Sequence, residues 1–271
     1  MKIVSFNVNS VRLRIPHLQA LVARDQPDVI GLQETKVTDD AFPVDDIKAL
    51  GYDVVYCGQK THYGVALMSR LPMSHVFYGF ETDGEDAQKR LIGAEVALPS
   101  GEAVQVINGY FPQGESRDHP VKFPAKEQFY ADLMHLLNSR FSNADHLAVL
   151  GDFNIAPIDN DIGIGADNAK RWLRTGKTSF LPEERTWWQR LTDWGLTDSY
   201  RHLYPDIDDR FSWFDYRSRG FERDPRRGLR IDHILTTAPL LKALTDSGID
   251  YDTRAMTKPS DHCPIWSDFA L

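Results

Sequence analysis

Strand after strand in this sequence ends in a short polar cluster made of the same few residue types. Apolar runs of strand length are each followed by asparagine, aspartate, glutamate or histidine, at residues 7–9, 33–35, 108–110, 151–154, 232–233 and 260–262. An ionisable side chain at a buried strand end needs a partner, because removing a lone charge from water is costly. The pattern therefore predicts that these strand ends converge on one site of carboxylate, amide and imidazole groups.

The apolar periodicity predicts strands and helices mixed along the whole length. Strands are expected over residues 2–8, 28–33, 64–69, 91–98, 103–110, 146–150, 229–236 and 264–269. Residues 99–102 form a hairpin signature between two of them. Helices are expected over residues 16–23, where a proline near the start is tolerated, and over residues 122–141 and 183–194.

No internal repeat, low-complexity tract or linker interrupts the 271 residues. We therefore expect a single domain over residues 1–271. Hydrophobic residues make up 42% of the chain, which is enough for a sizeable core. The fold class that buries this many strands is α/β, with two packed mixed β-sheets flanked by helices. The expected architecture is thus a four-layer α/β sandwich.

The charge is acidic overall but basic in places. A formal net charge of −8 by itself argues against a nucleic-acid binder. However, residues 170–190 carry six basic residues against two acidic, and residues 210–230 carry seven against three. A steering field acts locally, so one basic face is compatible with an acidic remainder. Solvated charge on an ordinary surface is the alternative for either stretch.

The cysteines and the apolar runs bear on location. Cys57 and Cys263 are too few for a disulfide framework and indicate reduced thiols. No apolar run approaches the ~18 residues of a membrane span. No apolar stretch with a small-residue cleavage site follows Met1. We therefore expect a cytoplasmic protein without a signal peptide and without a membrane partner.

The polar clusters favour oxygen-based metal chemistry. Carboxylates such as Glu34, together with Asp261, suit a hard cation, Mg²⁺ or Mn²⁺. No group of Cys or His has zinc spacing, and there is no nucleophile elbow or glycine-rich phosphate loop. The remaining chemistry is metal-assisted attack of water on a phosphodiester. Each cluster alone also has a structural explanation, such as a turn at residues 151–154.

Seven blocks of the sequence resemble the exonuclease III family of AP endonucleases, within the larger endonuclease/exonuclease/phosphatase fold. The blocks are residues 4–9, 31–36, 63–66, 108–114, 151–155, 229–232 and 260–262. They run from the first strand to the last. The resemblance implies a DNase I-like fold and a divalent cation as cofactor. Ser10 stands where the family often has glycine, so we expect the loop there to differ slightly.

The resemblance also implies roles at the metal and at the attacking water. Glu34 is the expected leading metal ligand, with Asn7 beside it. Asp261 is expected to support the metal, directly or through water. Asp152 is expected to act as the general base for the water or as the acid for the leaving oxygen. Tyr110 is expected to donate to a phosphate oxygen or, as phenolate, to assist the leaving group.

Three further residues are expected to act at the phosphate. Asn154 orients the water or a phosphate oxygen. His262 contacts the scissile phosphate and stabilises its developing negative charge. Asp232 accepts a hydrogen bond from His262 and fixes its orientation, as the third member of a catalytic triad does.

Two segments indicate DNA as the substrate. Residues 171–177 and 210–217 are similar to the bacterial exonuclease III branch, and both pair aromatic residues with cations. That pairing suits phosphate contacts combined with an apolar wedge or pocket, although core packing is the alternative for the aromatic residues. The expected DNA-binding residues are Arg171, Arg174 and Lys177 at phosphates, and Trp213, Phe214 and Leu229 around an abasic sugar.

By resemblance, the predicted enzyme is a DNA-repair hydrolase that cleaves double-stranded DNA 5′ to abasic sites and leaves a 3′-hydroxyl. It is also expected to act on damaged 3′ ends as a 3′-to-5′ exonuclease and a 3′-phosphatase or phosphodiesterase. These reactions all break an ester bond at a 3′ oxygen, so one site in a monomer suffices. The alternatives are a phosphoesterase of inositol phosphates or phospholipids, a nonspecific nuclease, and a non-catalytic nucleic-acid-binding regulator of the same fold.

Overall fold

A computed structural model describes all 271 residues. The strands are β1 Lys2–Asn7, β2 Val29–Gln33, β3 Asp53–Cys57, β4 Val65–Ser69, β5 Met73–Tyr78, β6 Leu91–Ala97, β7 Ala103–Tyr110, β8 Leu147–Asp152, β9 Leu196–Asp198, β10 Asp232–Thr237, β11 Leu244–Ile249 and β12 Ile265–Phe269. The α-helices are α1 Val11–Asp25, α2 Val44–Ala49, α3 Lys122–Arg140, α4 Ala166–Thr175, α5 Pro182–Trp194, α6 Ser199–Leu203, α7 Ala238–Leu241 and α8 Tyr251–Arg254. Short 3₁₀ helices span Asp39–Ala41, Asp159–Asp161 and Gly220–Glu222. None of the helices has the length and apolar character that crossing a membrane requires.

The strands form two six-stranded sheets, with the orders β11-β12-β1-β2-β4-β3 and β5-β6-β7-β8-β10-β9. Each sheet contains one parallel pair, β1 with β2 and β7 with β8. The other neighbours are antiparallel. Parallel strands need a crossover connection, which α1 supplies in the first sheet and α3 in the second. The two strands of each parallel pair therefore end at the same edge of their sheet.

Apolar side chains from both sheets meet in a central core. Ile3 and Leu67 of the first sheet and Val106 and Leu150 of the second are fully buried there. The outer face of the first sheet packs against α1 and α2, and the outer face of the second packs against α3 and α5. The layers are thus helices, sheet, sheet and helices. This confirms the expected four-layer α/β sandwich.

The expected start of the first helix, at residue 16, is wrong. α1 begins at Val11, and Pro16 lies inside it. The backbone N–H groups of Ser10 and Val11 donate to the carbonyl oxygens of Glu34 and Thr35, so the loop after β2 decides where the helix begins. These contacts and the packing of the helix on the sheet outweigh the one backbone hydrogen bond that Pro16 cannot donate.

The predicted strand over residues 229–236 begins too early. β10 begins at Asp232, whereas Leu229 leaves the sheet and exchanges two backbone hydrogen bonds with Trp213, at 2.9 and 3.0 Å. A further isolated bridge pairs Trp213 with His262. Residues 229–231 therefore help to build the rim of the polar strand ends. The other predicted strands and helices agree with the observed ones to within two residues at each end.

Candidate active site

The carboxyl ends of the two parallel strand pairs meet at one end of the sandwich. Asn7 ends β1 and Glu34 follows β2, while Tyr110 and Asp152 end β7 and β8. Asp232 begins β10 at the same edge, directly opposite Asp152 in the antiparallel register. Side chains that are far apart in sequence are thus brought together because each parallel pair ends at this edge.

Asn7 joins the two sheets. Its Nδ2 donates to Glu34 Oε1 at 2.9 Å and to Asp152 Oδ2 at 3.0 Å. Its Oδ1 accepts a hydrogen bond from the backbone N–H of Asn9 at 3.1 Å. The amide oxygen therefore points away from the two carboxylates. In this orientation Asn7 orients both carboxylates through Nδ2. Its expected place beside the leading metal ligand stays a prediction.

Glu34, Asp152 and His262 form the candidate metal cluster, in which one ligand atom of each lies within 4.8 Å of the others. The side chain of Glu34 is 16% exposed, and its Oε2 also lies 2.8 Å from Lys36 Nζ. Hard cations bind carboxylate oxygens, so Glu34 and Asp152 fit a divalent cation of the Mg²⁺ type. Glu34 is the ligand that solvent, and hence a metal, reaches most easily.

His262 lies between two carboxylates. Its Nδ1 is 2.9 Å from Oδ2 and 3.0 Å from Oδ1 of Asp232, and its Nε2 is 3.7 Å from Asp152 Oδ2. Burial works against a charge on the ring, yet the charges of Asp232 and Asp152 raise the pKa of His262 to about 10. The two carboxylates therefore favour the protonated imidazole, and its Nε2 faces Asp152.

Asp152 is enclosed among polar groups from both sheets. Burial raises the pKa of Asp152 to about 7, the charge of His262 opposes that rise, and the charges of Asp232 and Glu34 add to it. Asp152 Oδ1 accepts a hydrogen bond from the backbone N–H of Asn154 at 3.0 Å. Its carboxylate is thus held through both oxygens, since Asn7 bonds the other one.

Asn154 turns the chain sharply after β8. Its φ of 53° lies in the left-handed region, which a non-glycine residue rarely adopts and which is common at functional sites. Its Nδ2 donates to the carbonyl oxygen of Phe111 at 2.9 Å. Since the amide nitrogen is engaged by the protein, Oδ1 is the atom that can orient a water molecule.

Arg90 belongs to the site, although no sequence motif marks it. Its guanidinium lies over the rings of Tyr63 and Tyr110, 4.3 and 4.6 Å from their centroids, and it donates to the carbonyl oxygen of Tyr110 at 2.9 Å. Burial and then the charge of Glu34 raise the pKa of Tyr110 well above its ordinary value, so the phenol stays neutral. In the sequence, Arg90 stands in a polar run with no feature that separates it from surface charge.

Asp261 is the residue before His262 and is not part of the metal cluster. Its Oδ1 accepts a hydrogen bond from Asn9 Nδ2 at 2.8 Å, and its Oδ2 accepts one from Trp213 Nε1 at 3.1 Å. Burial favours the protonated carboxyl, but the charge of His262 and these two hydrogen bonds lower the pKa of Asp261. Both oxygens of Asp261 are engaged by neighbouring side chains, so Asp261 holds the indole of Trp213. Its expected support of the metal, directly or through water, stays a prediction.

Trp213 opens onto a pocket of about 400 Å³ that is rich in cations. Arg174, also expected to bind DNA, is exposed at the end of the neighbouring helix α4. Three further arginines of the pocket lie in the basic stretch 210–230 but were not among the expected DNA contacts. The pocket walls include Arg171, Lys177, Trp213, Arg217, Arg223 and Arg227.

Two of the three residues expected around an abasic sugar, Phe214 and Leu229, are buried in this structure. Phe214 is fully buried in a small cluster with Phe211 and Cys263. Leu229 is buried in another cluster, which supports Trp213 from behind. Successive side chains of an extended segment point to opposite faces, so Trp213 reaches the surface and its neighbour does not. Core packing, the alternative for these aromatic residues, holds for Phe214.

Residues 4–262 match the model of the endonuclease/exonuclease/phosphatase family. An exodeoxyribonuclease III from Haemophilus influenzae is 57% identical over 269 residues, which cover 99% of this chain and 100% of the relative. A 3′ phosphatase from Neisseria, solved with a product DNA hairpin, is 41% identical, with a TM-score of 0.89 and 100% of both chains covered. An AP endonuclease from Archaeoglobus fulgidus is 32% identical, with a TM-score of 0.91 over 100% of both chains. The architecture is therefore the DNase I-like fold of these proteins.

Proposed function

The chain belongs to the endonuclease/exonuclease/phosphatase family, and we propose that it is a divalent-metal-dependent DNA-repair enzyme that hydrolyses phosphodiesters. The substrate is duplex DNA, cut 5′ to abasic sites and at damaged 3′ ends. The observation that carries this proposal is the position of His262, which Asp232 holds with its Nε2 facing Asp152, beside the open carboxylate of Glu34. Hydrolysis of a phosphodiester needs a donor for the phosphate oxygens, a base for the water and a ligand for the metal. His262, the buried Asp152 and the accessible Glu34 match these three needs.

Glu34 would be the leading ligand of the cation, which we propose to be Mg²⁺ or Mn²⁺, with Asn7 beside it and Asp261 in support. When bound, it supplies positive charge to the phosphate oxygens. Asn7 contributes by donating to one oxygen of each carboxylate, which sets their directions. Lys36 Nζ lies 2.8 Å from Glu34 Oε2 and would compete with a cation for that oxygen.

Four side chains transfer the proton, orient the water and stabilise the charge on the phosphate. Asp152 accepts a proton from the attacking water, and Asn154 Oδ1 orients that water. His262 donates from Nε2 to a non-bridging phosphate oxygen and stabilises its growing charge, while Asp232 holds the ring. The hydroxyl of Tyr110 donates to another phosphate oxygen. Attack of the water oxygen on phosphorus breaks the bond to the 3′ oxygen, which takes up a proton from solvent and leaves as a 3′-hydroxyl.

The basic pocket beside Trp213 favours DNA over an inositol phosphate or a phospholipid. Arg171 and Lys177 line it, and Lys177 Nζ lies 3.9 Å from the ring centroid of Trp172. Cations that alternate with aromatic rings suit a backbone of phosphates with an unstacked position between them. We propose that Trp213, held by Asp261, contacts the abasic sugar.

We propose that residues 1–271 work as one catalytic domain in a monomer, because both sheets of a single chain supply the site. A cytoplasmic location is proposed as well, in keeping with the unpaired Cys57 and Cys263.

A substrate panel tests the proposed function. The protein is incubated with a duplex that carries one abasic-site analogue and blocked ends, with Mg²⁺ or with EDTA, beside an undamaged duplex. We expect metal-dependent cleavage directly 5′ to the analogue and none in the undamaged control. Binding of both duplexes without cleavage would indicate the regulator, and hydrolysis of inositol phosphate or phospholipid with intact DNA would indicate the related phosphoesterase.

A further inference from the structure

Three consecutive carbonyl oxygens of the turn after β8, those of residues 153–155, each accept a hydrogen bond from a different side chain. Tyr130 Oη donates to the first at 2.7 Å, Lys126 Nζ to the second at 2.8 Å, and His233 Nε2 to the third at 2.8 Å. We call these three side chains the carbonyl cradle. None of them belongs to the metal cluster, and they come from α3 and β10.

All three cradle residues are buried, at 0% exposure for Lys126 and His233 and 2% for Tyr130. Burying a charge is costly unless it is paired and hydrogen-bonded. Lys126 is paired with Glu184, whose Oε1 lies 2.5 Å from Nζ and whose Oε2 accepts the backbone N–H of Ser179 at 2.8 Å. An apolar pair of similar volume often stabilises a core as well as a buried ion pair does. Stability alone is therefore a weak reason for a lysine at this position.

Arg230 and Asp198 likewise orient the His233 ring toward the turn. A carbonyl oxygen only accepts, so the hydrogen of His233 sits on Nε2. Its Nδ1 lies 3.0 Å from Arg230 Nη1 and 3.2 Å from Asp198 Oδ2. The ring is thus held through Nδ1, while Nε2 reaches the turn.

The turn itself is tightly constrained. Gly151 has φ 146°, and a Cβ built there would lie 1.9 Å from the carbonyl oxygen of Gly109, so only glycine fits. Asn154 has the left-handed φ of 53°. Its backbone N–H bonds Asp152 Oδ1, so a shift of the turn would swing the Asp152 carboxylate directly.

We propose that Lys126, Tyr130 and His233 are positioning residues for the hydrolysis. They hold residues 153–155 so that the Asp152 carboxylate and the Asn154 amide keep the direction that the attacking water needs. This inference rests on the proposed function, because it concerns the same site. A displacement of ~1 Å at a reacting group can cost ~10²-fold in rate, so a loosened turn affects turnover more than substrate binding.

The chain offers a matched pair of tyrosines for the test. Tyr130 and Tyr52 are both 2% exposed, and each donates its hydroxyl to one backbone carbonyl, that of Phe153 or that of Pro27. Tyr130→Phe and Tyr52→Phe therefore remove the same group at the same depth. We expect Tyr130→Phe to lower kcat by about 5- to 10-fold with KM unchanged, and Tyr52→Phe to leave both constants at the wild-type values. Equal kcat in the two variants would overturn the proposal.

A second variant tests the charged member of the cradle. Lys126→Met combined with Glu184→Gln removes the buried charges but keeps an acceptor for the N–H of Ser179. Thermal unfolding verifies that the variant is folded at the assay temperature. We expect kcat to fall at least about tenfold with KM unchanged. A folded double variant with wild-type kcat would contradict the role of Lys126.

Hydrogen exchange separates this proposal from the proposed function, because it needs neither metal nor DNA. We expect amides of residues 150–156 to exchange faster in Tyr130→Phe and in the double variant than in the wild type or in Tyr52→Phe. Unchanged exchange in that segment would overturn the cradle even if the enzyme is active. If the wild type cleaves no phosphodiester, the proposed function fails, and the exchange result still decides whether these side chains hold the turn.

Discussion

His262 Nδ1 lies 2.9 Å from one carboxylate oxygen of Asp232 and 3.0 Å from the other. Both side chains are buried, and the second ring nitrogen of His262 is turned toward Asp152. Because Asp232 engages Nδ1, only Nε2 is free to meet a substrate. The pair therefore fixes both the charge of the imidazole and its direction.

Replacing Asp232 with Asn should impair both the charge and the orientation of the His262 imidazole. We expect kcat/KM for incision at an abasic site to fall by ~10²–10⁴-fold, since the ring loses its orientation and its charge support. The pKa of His262 should fall, because the Asp232 charge is one of the groups that raise it. Titration of the metal-free protein by NMR measures that change. The exposed Asp206→Asn should change neither quantity, and an Asp232→Asn variant with a wild-type rate would contradict this role.

Replacing Glu34 with Gln should weaken metal binding more than it weakens DNA binding. We expect the Mg²⁺ concentration for half-maximal rate to rise at least about tenfold, with partial rescue at high metal. Calorimetric titration with Mn²⁺ gives the affinity without an activity assay. Glu115→Gln is the control, because that carboxylate is exposed and pairs with Lys122 outside the cluster. Equal metal affinity in both variants would remove Glu34 from the ligand set.

The stability of the fold should depend on two carboxylates held by buried Arg230. Its Nε lies 2.7 Å from Asp161 and its Nη2 lies 2.7 Å from Asp198. Burial favours the protonated forms, but the Arg230 charge lowers the pKa of both carboxyls below their ordinary values. A lowered folded pKa adds stability above the unfolded value, near ~3.9, which is lost as the pH falls through the folded value.

Asp198→Asn tests that linkage by urea unfolding. We expect a loss of about 3–5 kcal/mol in the free energy of unfolding at pH 7, because Arg230 keeps a buried charge with one partner fewer. The difference in the free energy of unfolding between the variant and the wild type should shrink as the pH falls below ~4. Below that pH the stability that the ionised Asp198 carboxylate adds to the wild type is progressively lost. A difference that is constant from pH 7 to pH 3 would show that the lowered pKa of Asp198 contributes nothing to stability.

The salt dependence of DNA binding should report on the basic pocket. Each phosphate contact releases counterions, so Arg171→Ala should reduce the slope of log K against log salt by ~1. Lys48→Ala is the matched control, since Lys48 is exposed on α2 among acidic residues. Fluorescence anisotropy with a short duplex gives both slopes. The same slope in the wild type and in Arg171→Ala would place the DNA elsewhere on the surface.

The site was predictable to the extent that it lies on strand ends. Asn7, Glu34, Asp152 and Asp232 come together because each parallel pair ends at one edge, and the repeated polar clusters mark those ends. Strands β3, β5, β9 and β11 were missed, and all four lie at sheet edges. Side chains of β3, β5 and β11 are only partly buried, and β9 has only three residues, so apolar periodicity is weak there.

Residues that act through tertiary contacts have no such signal. Lys126 lies on a helix face whose charge pattern looks like solvated surface, and only the fold shows that it faces Asn154 and Glu184. The orientation of Asn7 and the depth of Phe214 also depend on neighbours far away in sequence. The local sequence pattern indicates which positions carry polar groups at strand ends, while packing decides which atom of each side chain points into the site.

The most direct test is single-turnover incision of a duplex with one abasic-site analogue by the wild type and by Asp152→Asn, with binding measured in parallel. With Mg²⁺, we expect the wild type to cut directly 5′ to the analogue and leave a 3′-hydroxyl. Asp152→Asn should bind the duplex with similar affinity and cut it at least ~10³-fold more slowly. An Asp152→Asn variant that binds and cuts within tenfold of the wild type would contradict the assignment of the reaction to this cluster.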